Sequence, residues 1–275
     1  MRNSQDVSGS TVAGSPLLTI VSVVKDDEAG LRETWQSVEN QSFRDYEFLI
    51  VTPEDQSRLF SDLANSSAGI RIVVDPGEGI YQAMNIGLYH AQGEFIIFLN
   101  AGDVLVESPE ALHMAMNEIV KRQVEWLAFS YRIKIGNKSK THIMQGELTR
   151  GPFALGLKRV LHQALVARRS WMNRFGGFNS EYRIAGDYDF ILRAISKRNL
   201  LTSRLVLSEF RIGGVSSRNP DLVRREIHES QRSNLPTSGS WRAAQGLWNG
   251  YWSVRRLLST LGPRMGDQSR RVGNH

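Results

Sequence analysis

The chain has 275 residues, 41% of them hydrophobic and 23% charged, with a formal net charge of +6 and no cysteine. That length suits one large α/β domain, or one domain with an appendage, and is ample for a sizeable core. The missing cysteines exclude disulfides, zinc–thiolate sites and thiol nucleophiles, and no apolar run approaches the roughly 18–20 residues of a membrane span.

Met1 to Ser15 is polar, rich in small residues and without the apolar core of a secretory signal, so residues 1–16 read as a disordered lead-in, while the missing cysteines suit a cytosolic protein. Leu18 to Val24 is a first buried strand, and Glu28 to Gln41 follows with Leu31, Trp35 and Val38 at helical spacing. Tyr46 to Val51 is a second strand, Gln56 to Ala64 a helix, and Ile70 to Val74 a third strand broken by Asp75-Pro76-Gly77-Glu78-Gly79. Ile80 to His90 reads as a helix with Ile80, Met84, Gly87 and Leu88 along one side. Strands and helices alternating at these lengths specify a parallel sheet with helices on both faces.

The fourth strand, Phe95 to Leu99, is short, apolar and without alternation, as a strand buried on both faces should be. It stops on Asn100-Ala101-Gly102-Asp103, a polar turn with a lone carboxylate. Ligands of open α/β sheets sit outside the carboxyl ends of the strands, so Asp103 is delivered to the usual place for a site; the bland alternative is a local Asx turn. Ser108-Pro109-Glu110 reads as the capped start of a helix to about Arg122. Trp126 to Ile135 and Ser139 to Met144 flank a Gly136-Asn137-Lys138 turn as a β-hairpin. Beyond it the alternation lapses: Leu161 to Arg168 is a strand, Tyr188 to Lys197 a helix, Leu205 to Phe210 a strand and Asp221 to Arg232 a charged helix.

Residues 17–234 thus form one domain, and 235–275 a linker, an amphipathic helix and a basic tail. In that last part Leu247, Tyr251, Val254, Leu258 and Leu261 make one stripe, with Trp241, Trp248 and Trp252 on its flank. Such a helix suits an anionic membrane surface over residues 241–261, or a place on the protein's own core. Arg and Lys gather after about residue 150, which suits an anionic partner.

Two clusters carry chemistry besides the Asn100–Asp103 turn. Gly77-Glu78-Gly79 leads into a helix, whose free N–H groups can receive a phosphate, but Gln82 stands where a dinucleotide fingerprint needs glycine. Ala185-Gly186-Asp187-Tyr188-Asp189-Phe190 puts two carboxylates at a helix start. Either can act as a general base, cap the helix or pair with Arg183 or Arg193.

Together these blocks resemble family 2 glycosyltransferases of the GT-A fold. The resemblance is carried by Val23-Val24-Lys25-Asp26-Asp27-Glu28, Ser37 to Phe43, Gly79-Ile80-Tyr81-Gln82-Ala83-Met84-Asn85-Ile86-Gly87 and Gly93 to Asp103. It continues through His162-Gln163, Gly176-Gly177-Phe178, the Ala185–Phe190 block, Gly213-Gly214-Val215-Ser216 and Glu226. They run in order from about Leu17 to Glu229, and are similar above all to the branch acting in bacterial exopolysaccharide and colanic-acid-like synthesis.

The resemblance implies an α/β fold with a mixed, mainly parallel sheet flanked by helices. It also implies an inverting transfer of a sugar from a nucleoside-diphosphate donor to a glycan or lipid-linked acceptor in cell-surface or exopolysaccharide synthesis. By it, Asp187 is the base, Asp103 holds Mg2+ or Mn2+ on the diphosphate, and Val24, Asp75, Gly79, Tyr81, Asn85 and Asn100 line the donor side. His162, Gln163 and Asp189 face the acceptor, with His162 able to approach the metal. The protein is then cytoplasmic and peripheral at the inner face of the membrane, with no nucleic-acid partner. The sequence departs from the pattern at Thr52-Pro53, where an acid is expected (Glu54 and Asp55 come later), at Ala101 in place of the first Asp of D-x-D, and at Gly77 and Gln82. Those departures leave a second reading open, a weakened scaffold that binds nucleotide or glycan as a partner protein.

Overall fold

The computed structural model describes residues 14–66, 69–136, 138–211, 219–236 and 246. The chain divides into two compact units, residues 1–234 and 235–275. Most of the lead-in, the Gly213–Ser216 block, Asn137 of the hairpin turn, and nearly all of the linker, amphipathic helix and basic tail expected after residue 234 lie outside the described residues.

The first unit opens with β1 (Leu18–Val23), α1 (Glu28–Glu39), β2 (Tyr46–Pro53), α2 (Ser61–Ser66), β3 (Ile70–Asp75), α3 (Ile80–His90) and β4 (Phe95–Phe98). It continues with β5 (Val104–Leu105), α4 (Ala111–Arg122), β6 (Trp126–Ile135), β7 (Lys138–His142), β8 (Gly146–Leu148) and α5 (Arg150–Ala154). The last elements are β9 (Leu165–Arg168), α6 (Arg169–Arg174), α7 (Gly186–Ile195), β10 (Leu200–Arg211) and α8 (Pro220–Asn234). The strands form one sheet in the order β3-β2-β1-β4-β9-β6-β10-β5, with β7 on β6 and β8 on β10. β9 is antiparallel to both neighbours, β4 and β6. Consequently β3, β2, β1, β4, β6 and β10 all point one way, and the sheet is mixed and mainly parallel as expected.

Alternation along β1 assigns its two faces. Leu18 and Ile20 join Leu31, Trp35 and Val38 of α1 and Leu112, Met116 and Ile119 of α4 in one buried cluster. Val21 turns to the other face, where α3 lies so close that a Cβ at Gly87 would overlap its side chain; only glycine permits that approach.

The order β2-β1-β4 places the topological switch point between β1 and β4, where an open sheet forms its ligand crevice. Pairing runs on past β4, with Leu99 N–H donating to Val21 O at 2.9 Å and Ala101 N–H to Val23 O at 3.1 Å. The Asn100–Asp103 turn therefore emerges at the mouth of that crevice.

Four expected elements differ, the strand expected from Leu205 to Phe210 already starting at Leu200. α4 starts at Ala111, with no side-chain capping bond at Glu110. The Ser108 carbonyl receives Ala111 N–H at 3.1 Å, while Pro109 O is engaged by Ser42 N–H at 2.8 Å, so Ser108 and Pro109 form a turn docked on the end of α1. The Gln56–Ala64 helix is a 3-10 run, Glu54–Phe60, followed by the short α2. The strand expected from Leu161 begins only at Leu165, because His162–Ala164 coils into a 3-10 turn before β9 pairs with β6. That turn directs His162 out of the sheet.

Candidate functional site

Four segments converge at the crevice: the turn after β4, the 3-10 turn before β9, the start of α7 and the start of α3. The first is fastened from α1. Thr34, fully buried, accepts Gly102 N–H at 3.0 Å on Oγ1, which also lies 3.3 Å from Asn100 O and 3.0 Å from Gly30 O. Ser37, one turn on, accepts Leu105 N–H at 3.1 Å. These two hydroxyls interrupt the apolar stripe of α1 at i, i+3 spacing, and both face the same neighbour. The sequence reading missed them, and that interruption is the signal that could have found them. Gly102 takes φ +88°, a left-handed conformation that favours glycine, and Asp103 N–H closes the turn on Asn100 O at 2.9 Å.

Asp103 is 8% exposed. Its Oδ1 accepts from Gln163 Nε2 at 3.3 Å, and its Oδ2 lies 3.6 Å from His162 Nε2. The other ring nitrogen, Nδ1, lies 3.2 Å from Asp187 Oδ2. One imidazole thus spans the two carboxylates that the sequence singles out. Burial alone would push that ring's pKa down. Hydrogen bonds and charge from Asp103 and Asp187 outweigh burial and hold His162 at about 10. An imidazolium donates from both nitrogens, and Asn100 Nδ2, itself a donor, lies 3.2 Å from Nε2 while Asn100 Oδ1 has no partner. Turning the Asn100 amide over resolves both.

Asp187 is the second residue of α7. Its Oδ1 accepts Tyr188 N–H at 2.7 Å, and the Tyr81 hydroxyl lies 3.4 Å away. That hydroxyl donates to Ile184 O at 2.6 Å. Burial pushes the Tyr81 phenol well up, and the charge of Asp187 adds to it, so the hydroxyl stays protonated as a donor.

The structure brings Asn100, Asp103, His162, Gln163 and Asp187 together, with Tyr81 beside Asp187, and places the others apart from them. Asp75 accepts Gly77 N–H at 2.6 Å and lines an open cavity of about 720 Å³ with Pro53, Glu54, Asp55, Val74 and Pro76. The two acids that come late after β2 therefore line the same cavity as Asp75. Gly79, at φ +127°, occupies the N-cap position of α3, and Val24 N–H is bonded to Val51 O at 2.9 Å beneath the crevice.

Three expectations need correction. Asn85 uses its whole amide on Phe178, donating to the carbonyl and accepting from the N–H, each at 2.8 Å, so it fastens the Gly176–Phe178 turn rather than a nucleotide. Tyr81, 5% exposed, is turned to Ile184 and Asp187. Asp189 is 3% exposed and holds Arg193 at 2.8 Å, Ser230 at 2.8 Å and Asn234 at 3.0 Å. It is an interior ion pair, because helical spacing turns it away from Asp187 into the contact with α8.

Among the described residues no group of three or more His, Asp and Glu side chains is arranged to hold a metal ion. The oxygens present still suit a hard cation that substrate phosphates would share: one carboxylate, Asp103, with Gln163 Oε1, a buried oxygen without a partner, on the residue bonded to it.

Comparison with known proteins bears on this site. Residues 19–198 match the family described as Glycosyl transferase family 2. An uncharacterized glycosyltransferase of Mycobacterium tuberculosis is 27% identical over 223 residues, covering 77% of this chain and 82% of its own. A PGL/p-HBAD biosynthesis glycosyltransferase of Mycobacterium bovis is 27% identical over 222 residues, covering 74% and 80%.

Among solved structures, residues 1–349 of Staphylococcus aureus TarS with UDP-GlcNAc superpose with a TM-score of 0.63 at 16% identity, covering 78% of this chain and 66% of that one. The chain thus spans just under two thirds of that fragment. A mannosyltransferase of Pyrobaculum calidifontis, in complex with GDP-Man and Mn2+, gives a TM-score of 0.60 at 13% identity, covering 83% and 67%. These likenesses establish the GT-A fold. With the family match over most of the first unit, the chain belongs to glycosyl transferase family 2 and is a nucleotide-sugar-dependent glycosyltransferase.

Proposed function

We propose that this enzyme transfers a sugar with inversion from a nucleoside diphosphate to a hydroxyl of a glycan or lipid-linked acceptor in cell-surface polysaccharide or glycolipid synthesis. The observation that carries the reading is the His162 bridge, which keeps Asp103 and Asp187 one imidazole ring apart at the mouth of the crevice. The donor's nucleotide lies toward the cavity bordered by Asp75, Glu54 and Asp55, with its diphosphate near Gly79 and the Asn100–Asp103 turn. Asp187 takes the proton of the acceptor hydroxyl as that oxygen forms its bond to the anomeric carbon. The bond from that carbon to the phosphate oxygen breaks on the opposite side, and the diphosphate leaves with the electron pair.

Asp103, with Gln163 beside it, would hold Mg2+ or Mn2+. Such a cation, when bound, neutralises charge on the departing diphosphate. Support for a nucleotide-sugar donor also comes from the UDP-GlcNAc and GDP-Man bound in the structural neighbours. Support for a surface-glycan or glycolipid acceptor comes from relatives named for PGL/p-HBAD and O-antigen biosynthesis, the latter a Myxococcus xanthus protein 30% identical over 188 residues, which are 65% of this chain and 14% of that protein.

A panel of uridine and guanosine diphosphate sugars, incubated with Mn2+ and a lipid or glycan acceptor pool, tests the reading through nucleoside diphosphate release. Acceptor-dependent release from one donor is expected. Binding of nucleotide by calorimetry with no release from any donor would favour the weakened scaffold, for which Ala101 and the single acidic ligand speak.

No described helix is long and apolar enough to cross a membrane. Reversible attachment to anionic lipid is proposed for residues 241–261, on their stripe of Leu, Val and Tyr flanked by Trp and Arg.

A further inference from the structure

We propose that α8, through the carboxylate of Glu226, is a positioning device for Asp187, an inference that rests on Asp187 being the acceptor-side base. Glu226 is 5% exposed. Its oxygens accept three consecutive backbone N–H groups: Arg183 at 2.9 Å on Oε1, and Ile184 at 2.9 Å and Ala185 at 2.8 Å on Oε2. Those residues are the last before α7, whose cap position, Ala185, has no side-chain capping bond. A helix start needs acceptors for its free N–H groups and favours negative charge. Here a carboxylate from a helix some forty residues later in the chain supplies the charge and takes the N–H groups that lead into the start.

The same face of α8 continues the contact. Ser230 and Asn234, four and eight residues on, donate to Asp189 Oδ1 at 2.8 and 3.0 Å. Gln231 donates to Ala154 O at 2.7 Å and lies 3.0 Å from the Tyr188 hydroxyl. On the other side, α3 holds the same peptide unit, since Ile184 gives its N–H to Glu226 and receives the Tyr81 hydroxyl on its carbonyl. Asp187, three residues along, thus follows a peptide unit held from two helices at once. α8 lies beyond residues 19–198, the span that the family description matches, while the peptide it holds lies within that span. Displacing a reacting group by about 1 Å costs on the order of 100-fold in rate. A loosened start of α7 should therefore lower turnover more than donor binding.

The test measures kcat and donor KM with Mn2+, using whichever uridine or guanosine diphosphate sugar of a panel is turned over fastest, for the full chain and its E226Q, D187N and double variants. E226Q keeps the shape but sets an NH2 group against backbone N–H donors. It is expected to lower kcat roughly 10- to 100-fold with donor KM held within about twofold, and to lower kcat by less than about twofold in the D187N background. Should E226Q not fold, S230A takes its place, with a smaller kcat loss that also vanishes in the D187N background. An unchanged kcat in the glutamine variant, or a loss that recurs in full without Asp187, overturns the positioning role. Full activity of D187N overturns instead the reading of Asp187 as base, whatever E226Q does.

Discussion

Gly186 lies flat against the ring of Tyr81, so close that a Cβ added there would sit 2.7 Å from two ring carbons. The ring is buried and its hydroxyl is bonded to Ile184 O at 2.6 Å, so it has little room to withdraw. Gly186→Ala is expected to destabilise the fold by about 1–3 kcal/mol, the usual cost of overpacking, and to lower turnover by shifting the residue next to it, Asp187. Urea denaturation and kcat of the variant check both effects.

The turn that carries Asp103 depends on a residue 69 positions earlier. Thr34→Val keeps the side-chain shape but leaves Gly102 N–H without its acceptor. An unsatisfied buried donor costs about 1–3 kcal/mol. The expected outcome is a lower urea midpoint with an unchanged m-value, and weaker Mn2+ retention by the nucleotide complex.

His162 gives the metal-free protein a pH dependence of definite sign. Its pKa in the fold, about 10, is above the roughly 6.5 of an unfolded chain. Its contribution is therefore fully present below about pH 6.5 and is lost as pH rises toward 10. In the presence of chelator, the stability gap between wild type and His162→Gln should be widest near pH 6 and narrow by pH 9.5. A gap that widens over that interval would contradict the ion-pair bridge.

Removing the chain after Pro236 should abolish flotation of the protein with vesicles containing anionic lipid, and raised salt should weaken flotation of the full chain. Equal flotation of the two proteins would remove residues 241–261 from the account.

Much of this was legible in residue patterns because the first half of the fold is made of local, strongly periodic pieces. The span of α3, Ile80–His90, is read directly from its apolar side, and β4 from its unbroken run of Phe and Ile. What escaped were relations between distant segments. No pattern near His162 announces that it will meet Asp103 and Asp187, since residues 59 and 25 positions away bring it there only once β9 inserts antiparallel between β4 and β6. Asp187 and Asp189 look alike in sequence and are parted by helical geometry, one toward the crevice and one toward Arg193. Asn85 sits among residues that resemble a donor site, yet its amide closes on Phe178, 93 residues away. The Ser108 cap failed because Pro109 had a nearer use, as a docking point for Ser42.

The central claim is that Asp187 removes the acceptor's proton while the Asn100–Asp103 turn serves the diphosphate. Asp187→Asn preserves size and leaves the donor side untouched, so the measurement that decides is kcat of that variant set beside its calorimetric affinity for the nucleoside diphosphate with Mn2+. The account predicts turnover lowered by about 100-fold or more with nucleotide affinity within about threefold of wild type. Full turnover in the asparagine variant, or a parallel collapse of nucleotide affinity, would contradict it.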